Sequence, residues 1–293
     1  MPRLLEGKTV LVLGVANRFS IAWPITQALH REGARVIVSY QGERVERTVR
    51  QLTETLDGSL TLQCDVGNDD EIDQLFAEID RQAGGLDAVV HSIAYAPSEA
   101  LDGTFLSTTR EAFRTTLDVS AYSLTAVLQR AVPRFEARGG GSVLTMTYLG
   151  GERVVPHYNI MGVAKAALEM SVRYLASDLG QSNIRINAIS AGPISTASAR
   201  AIKGFLQMAH RVAEWAPLRR GTTVEEVADT AVYLISDWAR GDRRSAACRF
   251  RLPCDGHRLG ALQPGRAPTP QQGGDRPQGG RSPLANDRAA SLW

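Results

Sequence analysis

Short, unbroken runs of apolar and β-branched residues alternate along this chain with longer amphipathic stretches, and few architectures accommodate that pattern. Thr9–Leu13 (TVLVL) is continuously apolar rather than alternating, as a strand buried on both faces should be. Ile21–Glu32 follows with apolar positions at helical spacing, closed by Gly33 as a C-cap. The pattern then repeats. Arg35–Ser39, Ser59–Cys64, Leu86–Val90, Ser142–Thr147 and Ile184–Ile189 read as strands, and Val45–Leu56, Asp69–Ala83, Leu117–Arg138, Tyr158–Leu179 and Val224–Ser236 as helices.

Such alternation implies right-handed βαβ units and a parallel sheet covered by helices on both faces. The expectation is an α/β fold, a Rossmann-like doubly wound parallel sheet forming a single domain over residues 1–240. Its ligands should lie beyond the carboxyl ends of the strands. After Arg240 the composition changes. Residues 241–293 hold six of the thirteen prolines and no Val, Ile, Tyr or Met. No sheet strand is expected from this Arg/Pro/Gly-rich tail, which reads as disordered or frameshifted, so the sheet's final strand is in question.

The tail carries nine Arg and four Asp, a net charge of +5, whereas residues 1–240 hold 24 basic and 27 acidic side chains, a net of −3. The overall charge of +2 points to no polyanionic partner. Among the nine tail arginines the only interleaved aromatic residue is Phe250, too few for a stacking platform, so a nucleic-acid partner is not expected. Cys64, Cys248 and Cys254 form neither a disulfide framework nor a metal-ligand spacing, and reduced thiols suit a cytoplasmic chain. No apolar run of about 18 residues exists to span a membrane, and the N-terminus lacks the apolar stretch of a signal peptide.

The first strand is followed by Gly14-Val-Ala-Asn-Arg-Phe-Ser20-Ile21-Ala22. A dinucleotide site needs a small residue where the chain leaves the strand and a helix N-terminus facing the pyrophosphate. Only one glycine of the usual three is present, so the loop alone could equally be a strand-to-helix turn. At the end of the second strand stands Ser39-Tyr-Gln41-Gly-Glu-Arg44, without the customary acid; Gln41 can bond a ribose hydroxyl, and Arg44 could meet a phosphate or sit on a solvated helix face. Asp65, after the third strand, is by itself more often a turn residue, and His91 more often a structural histidine.

The most informative stretch is Thr145-Met-Thr-Tyr148-Leu-Gly-Gly-Glu-Arg-Val-Val-Pro-His-Tyr158-Asn-Ile-Met161-Gly-Val-Ala-Lys165. Tyr158 and Lys165 are seven apart, so on a helix they face the same way with about 10.5 Å between them along the axis. A phenol can donate to an oxygen that gains charge, and a fixed cation can hold a cofactor ribose. The spacing alone also describes two solvated residues on an amphipathic helix. The position at the start of the helix after the fifth strand, beside the ligand cleft, favours the functional reading.

Taken together, Gly14-Val-Ala-Asn, Ser20-Ile-Ala-Trp23 and the run from Tyr148 to Lys165 resemble the bacterial enoyl-acyl-carrier-protein reductases, a divergent branch of the short-chain dehydrogenase/reductase family. The similarity runs from about Leu4 to Arg240. It implies NADH-dependent reduction of the trans-2 double bond of an enoyl thioester in type II fatty-acid synthesis, with acyl carrier protein as partner, a homotetrameric assembly, and NADPH as the less favoured cofactor. By resemblance, Tyr158 bonds the thioester oxygen, Lys165 holds the nicotinamide ribose and Tyr148 lines the pocket. Gly14, Ser20 and Ile21 serve the pyrophosphate; Gln41, Asp65, Val66, Ser92, Ile93 and Ala94 the adenosine half; and Ile194 and Thr196 the nicotinamide end. Ala96, Met161 and Phe205 join the two tyrosines around the acyl chain.

Ordinary ketone-reducing members of the wider family carry a serine near Thr145 and an Asn near Asp118; this chain has neither, which points away from them. A ketone reductase or a non-catalytic nucleotide-binding homologue are the competing functions. After Gly241 the family continues with Thr-Gly-Glu, an apolar strand and Val-Asp-x-Gly. One codon choice for Asp242-Arg-Arg-Ser245, GAC CGG CGA AGC, contains Thr-Gly-Glu in a shifted frame, ACC GGC GAA.

Overall fold

A computed structural model describes residues 3–196, 205–241 and 247–251, with 205, 206, 208, 240, 241 and 247–251 described by backbone alone. Seven strands form one sheet: β1 (Thr9–Leu13), β2 (Arg35–Tyr40), β3 (Leu60–Gln63), β4 (Ala88–His91), β5 (Gly141–Thr147), β6 (Ile184–Ser190) and β7 (Ala247–Arg251). Their order is β3-β2-β1-β4-β5-β6-β7, and every pairing is parallel. The chain therefore runs outward from β1 in one direction, then reverses past it to β4. That reversal opens a crevice between β1 and β4 at the carboxyl rim.

Helices α1 (Ala22–Arg31), α2 (Glu43–Thr53) and α9 (Val224–Ile235) cover one face; α3 (Asp69–Ala83), α6 (Ser123–Ala137) and α7 (Asn159–Leu179) cover the other. β1 shows why its sequence does not alternate. Val10 and Val12 enter the core under α1, while Leu11 and Leu13 enter the core under α3 and α6, all fully buried. Helix starts follow local chemistry. Asn68 caps α3 by accepting the Asp70 N–H at 3.0 Å, and Thr223 and Glu226 form a reciprocal capping box on α9.

Two expectations are corrected. The single helix expected over 117–138 is instead the end of α5 (Arg110–Leu117), a π turn at Asp118–Tyr122, and α6. The wider turn sets Ser120 to donate to the Tyr95 carbonyl and accept the Tyr95 N–H, both at 2.9 Å. Periodicity does not reveal such an insertion. The tail also supplies a strand that its composition argued against: Ala247–Arg251 pairs in parallel with Ile186–Ser190. The exposed edge of β6 offers backbone donors and acceptors that any non-proline segment can pair, whatever its side chains.

One compact unit spans Met1–Gly256, so the break expected at 240 falls inside it. The second unit, His257–Trp293, and the disorder expected of it lie outside the described residues. Among the described residues no helix is long and apolar enough to cross a membrane.

Phe135, fully buried, fills the space that Gly141 leaves at the start of β5, where a Cβ would come within 2.4 Å of its ring. Phe135→Ala should cost about 3–5 kcal/mol of unfolding free energy in denaturant titration. A loss below about 1 kcal/mol would contradict this packing.

Candidate functional site

Because all strands are parallel, Gly14, Gln41, Asp65, Ser92, Tyr148 and the segment 191–196 emerge at one rim of the sheet. Gly14 has φ +103°, and a Cβ there would lie 2.0 Å from the Ser92 carbonyl oxygen. The loops leaving β1 and β4 thus touch at the floor of the crevice, where only glycine fits. Ser20 organises the loop above it, its hydroxyl accepting the Ala16 and Asn17 N–H groups at 3.0 and 3.2 Å. Those bonds use the oxygen and leave the hydroxyl hydrogen to donate outward. Helix α1 begins after Ile21 with no side-chain cap and no acidic residue in its first turn. Its positive end and N–H groups suit an anion such as a pyrophosphate.

The other predicted cofactor residues line the same rim. Gln41 Nε2 donates to Asp65 Oδ2 at 3.1 Å, joining the ends of β2 and β3 and leaving the Gln41 carbonyl as an acceptor. Asp65 also accepts the Gly67 N–H at 2.9 Å, and Val66 is buried. Arg44 is exposed in the first turn of α2. Ser92 donates its N–H to Leu13 at 3.0 Å, Ile93 packs on the core and Ala94 is exposed. Ile194 packs against the α1 face, and the Thr196 N–H bonds the Ile194 carbonyl at 2.8 Å. These residues form a strip along one rim of the sheet.

Tyr148, Tyr158 and Met161 meet in a small apolar cluster with Val155 and Ala164, flanked by Ala96, Leu101 and Leu117. The two tyrosine rings make an edge contact with centroids 5.2 Å apart. Gly150 permits it, since a Cβ there would sit 2.3 Å from the Tyr158 ring. Tyr158 is flanked by His157 and Asn159, with φ of +62° and +39°. Burial, Tyr148 and Glu169 together hold its phenol well above the ordinary value, so it is a hydrogen-bond donor at neutral pH. The Phe205 side chain lies outside the described residues.

Lys165 is 5% exposed and donates to the Met146 carbonyl at 2.8 Å. Desolvation pushes its ammonium down to about 8, opposed by the charge of Glu169. Thr145 does not face the ligand. Its hydroxyl donates to the His91 carbonyl at 3.1 Å and lies 3.2 Å from His91 Nδ1, while His91 Nε2 meets Ser123 Oγ at 2.8 Å. His91 is fully buried, which drives it down to about 3, with Lys165 adding to the effect. It is a neutral structural imidazole. Cys64 is also buried, its thiol pushed up to about 12 and thus unreactive.

Sequence reasoning missed Glu169 and Thr147, whose side chains meet at 2.7 Å behind Lys165. It also missed Asn159, whose Nδ2 lies 3.4 Å from the carbonyls of Ala100, Leu101 and Gly103. The i, i+4 spacing from Lys165 could have flagged Glu169; nothing local distinguishes the other two.

A family model described as Enoyl-(Acyl carrier protein) reductase matches residues 14–242. The chain is 54% identical over 240 residues to the enoyl-acyl-carrier-protein reductase (NADH) FabI of Bacillus cereus, covering 81% of this chain and 93% of the relative. It is 43% identical to the corresponding Escherichia coli protein, covering 81% and 90%. The solved B. cereus enoyl-acyl carrier protein reductase with NADP+ and indole naphthyridinone superposes with TM-score 0.83 and 51% identity, covering 87% of this chain and 98% of that one. The Anaplasma phagocytophilum enzyme in complex with NAD gives TM-score 0.82 and 41% identity, covering 89% and 97%.

Neutral His91 links folding to pH. Its folded value lies below the unfolded one near 6.5, so its stabilising contribution is present above pH 6.5 and falls away as pH drops towards 3. The wild type should lose roughly 2 kcal/mol through this group between pH 6.5 and 5. His91→Asn should flatten that limb in denaturant titrations; parallel pH slopes for the two proteins would refute it.

Proposed function

Since this chain belongs to the enoyl-(acyl-carrier-protein) reductase family, we propose that it reduces the trans-2 double bond of enoyl thioesters on acyl carrier protein, using NADH, in type II fatty-acid synthesis. One observation carries the choice of enoyl over ketone reduction. The side chain packed against Tyr158 is a second tyrosine, Tyr148, its ring edge-on with centroids 5.2 Å apart, while Thr145 is turned inward onto His91. When bound, the reduced nicotinamide would supply the hydride that enters at the β-carbon, and the α-carbon of the resulting enolate would take its proton from solvent. Tyr158, kept as a phenol by its burial, donates a hydrogen bond to the thioester oxygen as that oxygen gains charge. Lys165 binds the nicotinamide ribose and adds positive charge near the developing anion.

Gly14, Ser20, Ile21 and the start of α1 take the pyrophosphate. Gln41, Asp65 and Val66 take the adenosine end, Ser92, Ile93 and Ala94 pass beneath it, and Ile194 and Thr196 dock the nicotinamide. Ala96, Tyr148, Tyr158, Met161 and Phe205 line the acyl pocket. NADH is favoured over NADPH by the names of the relatives; NADP+ in the B. cereus structure keeps the phosphorylated form as the comparison to run. The working enzyme is read as a cytoplasmic homotetramer.

The tail after 241 is read as the product of a frameshift in the gene. In support, the family match stops at 242, where the composition changes. The shift that yields Thr-Gly-Glu, carried onward, reads Val-Asp-Ser-Gly for one codon choice of Cys248–Leu252 (TGT CGA TTC CGG CTG). The DNA should therefore contain both family motifs in one continuous alternative frame; a sequence without them would exclude this origin.

Turnover of a crotonyl thioester with NADH separates the readings. Reduction supports enoyl reductase activity, turnover of a ketoacyl thioester alone supports a ketone reductase, and cofactor binding without turnover supports a non-catalytic homologue. Tyr158→Phe should lower kcat by 10²-fold or more, roughly, with little change in NADH affinity, whereas Lys165→Ala should reduce both. Equal effects of the two substitutions on affinity and rate would overturn these roles.

A further inference from the structure

The helix that carries Lys165, with Tyr158 at its N-cap, carries another polar side chain on the face of Lys165. Glu169 lies one turn beyond Lys165, the spacing at which helical neighbours meet. It is 8% exposed, although buried carboxylates are costly unless paired. Thr147 Oγ1 donates to its Oε1 at 2.7 Å from β5. The turn after Tyr148 closes over it: a Cβ on Gly151 would lie 3.1 Å from Glu169 Oε1 and 3.1 Å from the Ala166 nitrogen. A backbone loop without side chain thus seals the carboxylate against the helix.

We propose that Glu169, fixed by the Thr147 hydroxyl one turn beyond Lys165, is the buried counter-charge that keeps Lys165 cationic and so positions it to hold the cofactor. Lys165 and Glu169 reach β5 from the same side of the helix, Lys165 to the Met146 carbonyl and Glu169 to the adjacent Thr147 hydroxyl. Among the described residues, the titratable groups coupled to the Lys165 ammonium are His91 from β4, which is neutral, and Glu169. Among the described residues, Glu169 is the carboxylate whose charge acts on both Lys165 and Tyr158. An anion favours the protonated form of each, and both are needed protonated: the lysine to grip the ribose, the tyrosine to donate its hydrogen. Glu169 acts through these residues and is a positioning residue, not a catalytic one.

The proposal rests on the reading that Lys165 binds NADH, so the experiment separates the two. NADH affinity, followed by cofactor fluorescence, and kcat/KM for a crotonyl thioester are measured from pH 6 to 9.5 for the full chain and Glu169→Gln. The alkaline limb of both profiles should move down by about one pH unit or more in the variant. With Lys165 near 8, a shift of one unit corresponds to roughly a fivefold loss at pH 8, approaching about tenfold at pH 9.5 and almost none at pH 6. Glu169→Asp should restore the limb. A pH-independent loss, or an unmoved limb, overturns the proposal in favour of simple packing. If Glu169→Gln does not fold, Thr147→Val frees the carboxylate and should move the limb the same way by less; no movement is again adverse. Titration of Lys165 Cε by 13C NMR in the cofactor-free protein reads the same shift directly. A wild type that fails to bind NADH would therefore sink the functional reading while the counter-charge is still decided on its own.

Discussion

Seven parallel strands must place all their carboxyl ends at one rim, and the site depends on that geometry. Gly14 reaches Ser92 only because β1 and β4 are paired neighbours that leave the sheet on the same side. The same constraint brings Gln41 to Asp65 from β2 and β3, and sets the Tyr148 loop from β5 against α7. No two of these contacts come from adjacent sequence. Had β4 run antiparallel, its carboxyl end would lie at the opposite rim, some 4 residues of strand away, or roughly 13 Å.

On this rim the central electrostatic difficulty is an ammonium removed from water. Lys165 makes one bond, to the Met146 carbonyl, and receives opposing influences from burial and from Glu169. The neighbouring His91 is driven neutral, which spares the pocket a second cation. Its hydroxyl partners, Thr145 and Ser123, occupy the layer between β5 and α6 and satisfy the imidazole without introducing charge. Among the described residues, the buried charged groups under the site are thus the ammonium of Lys165 and the carboxylate of Glu169.

Tertiary context explains which parts of this were legible. Continuous apolar runs such as TVLVL identified strands covered on both faces, because only a parallel sheet buries both Val10 and Leu11. Tyr158 and Lys165 were readable because Tyr158 is the N-cap of the helix that carries Lys165, close enough in sequence for their spacing to be noticed. Glu169 stands on the face of Lys165, yet a Glu four residues after a Lys more often signals a surface pair. Its burial depends on Thr147 and Gly151, neither of which periodicity on α7 can reveal. The π turn at Asp118–Tyr122 escaped for a related reason: one inserted residue leaves the apolar pattern nearly intact while redirecting Ser120 towards Tyr95.

The sequence by itself determined the strand–helix alternation, the parallel sheet it entails, and the Tyr158–Lys165 pair, because each is a local pattern of spacing along one element. Only the tertiary structure decided that Thr145 turns to His91, that Tyr148 meets Tyr158 edge-on, and that β7 completes the sheet edge. Those outcomes depend on which backbone groups remain unpaired and which side chains lie across a layer. Residues far apart in the chain settle both, and no spacing rule records them.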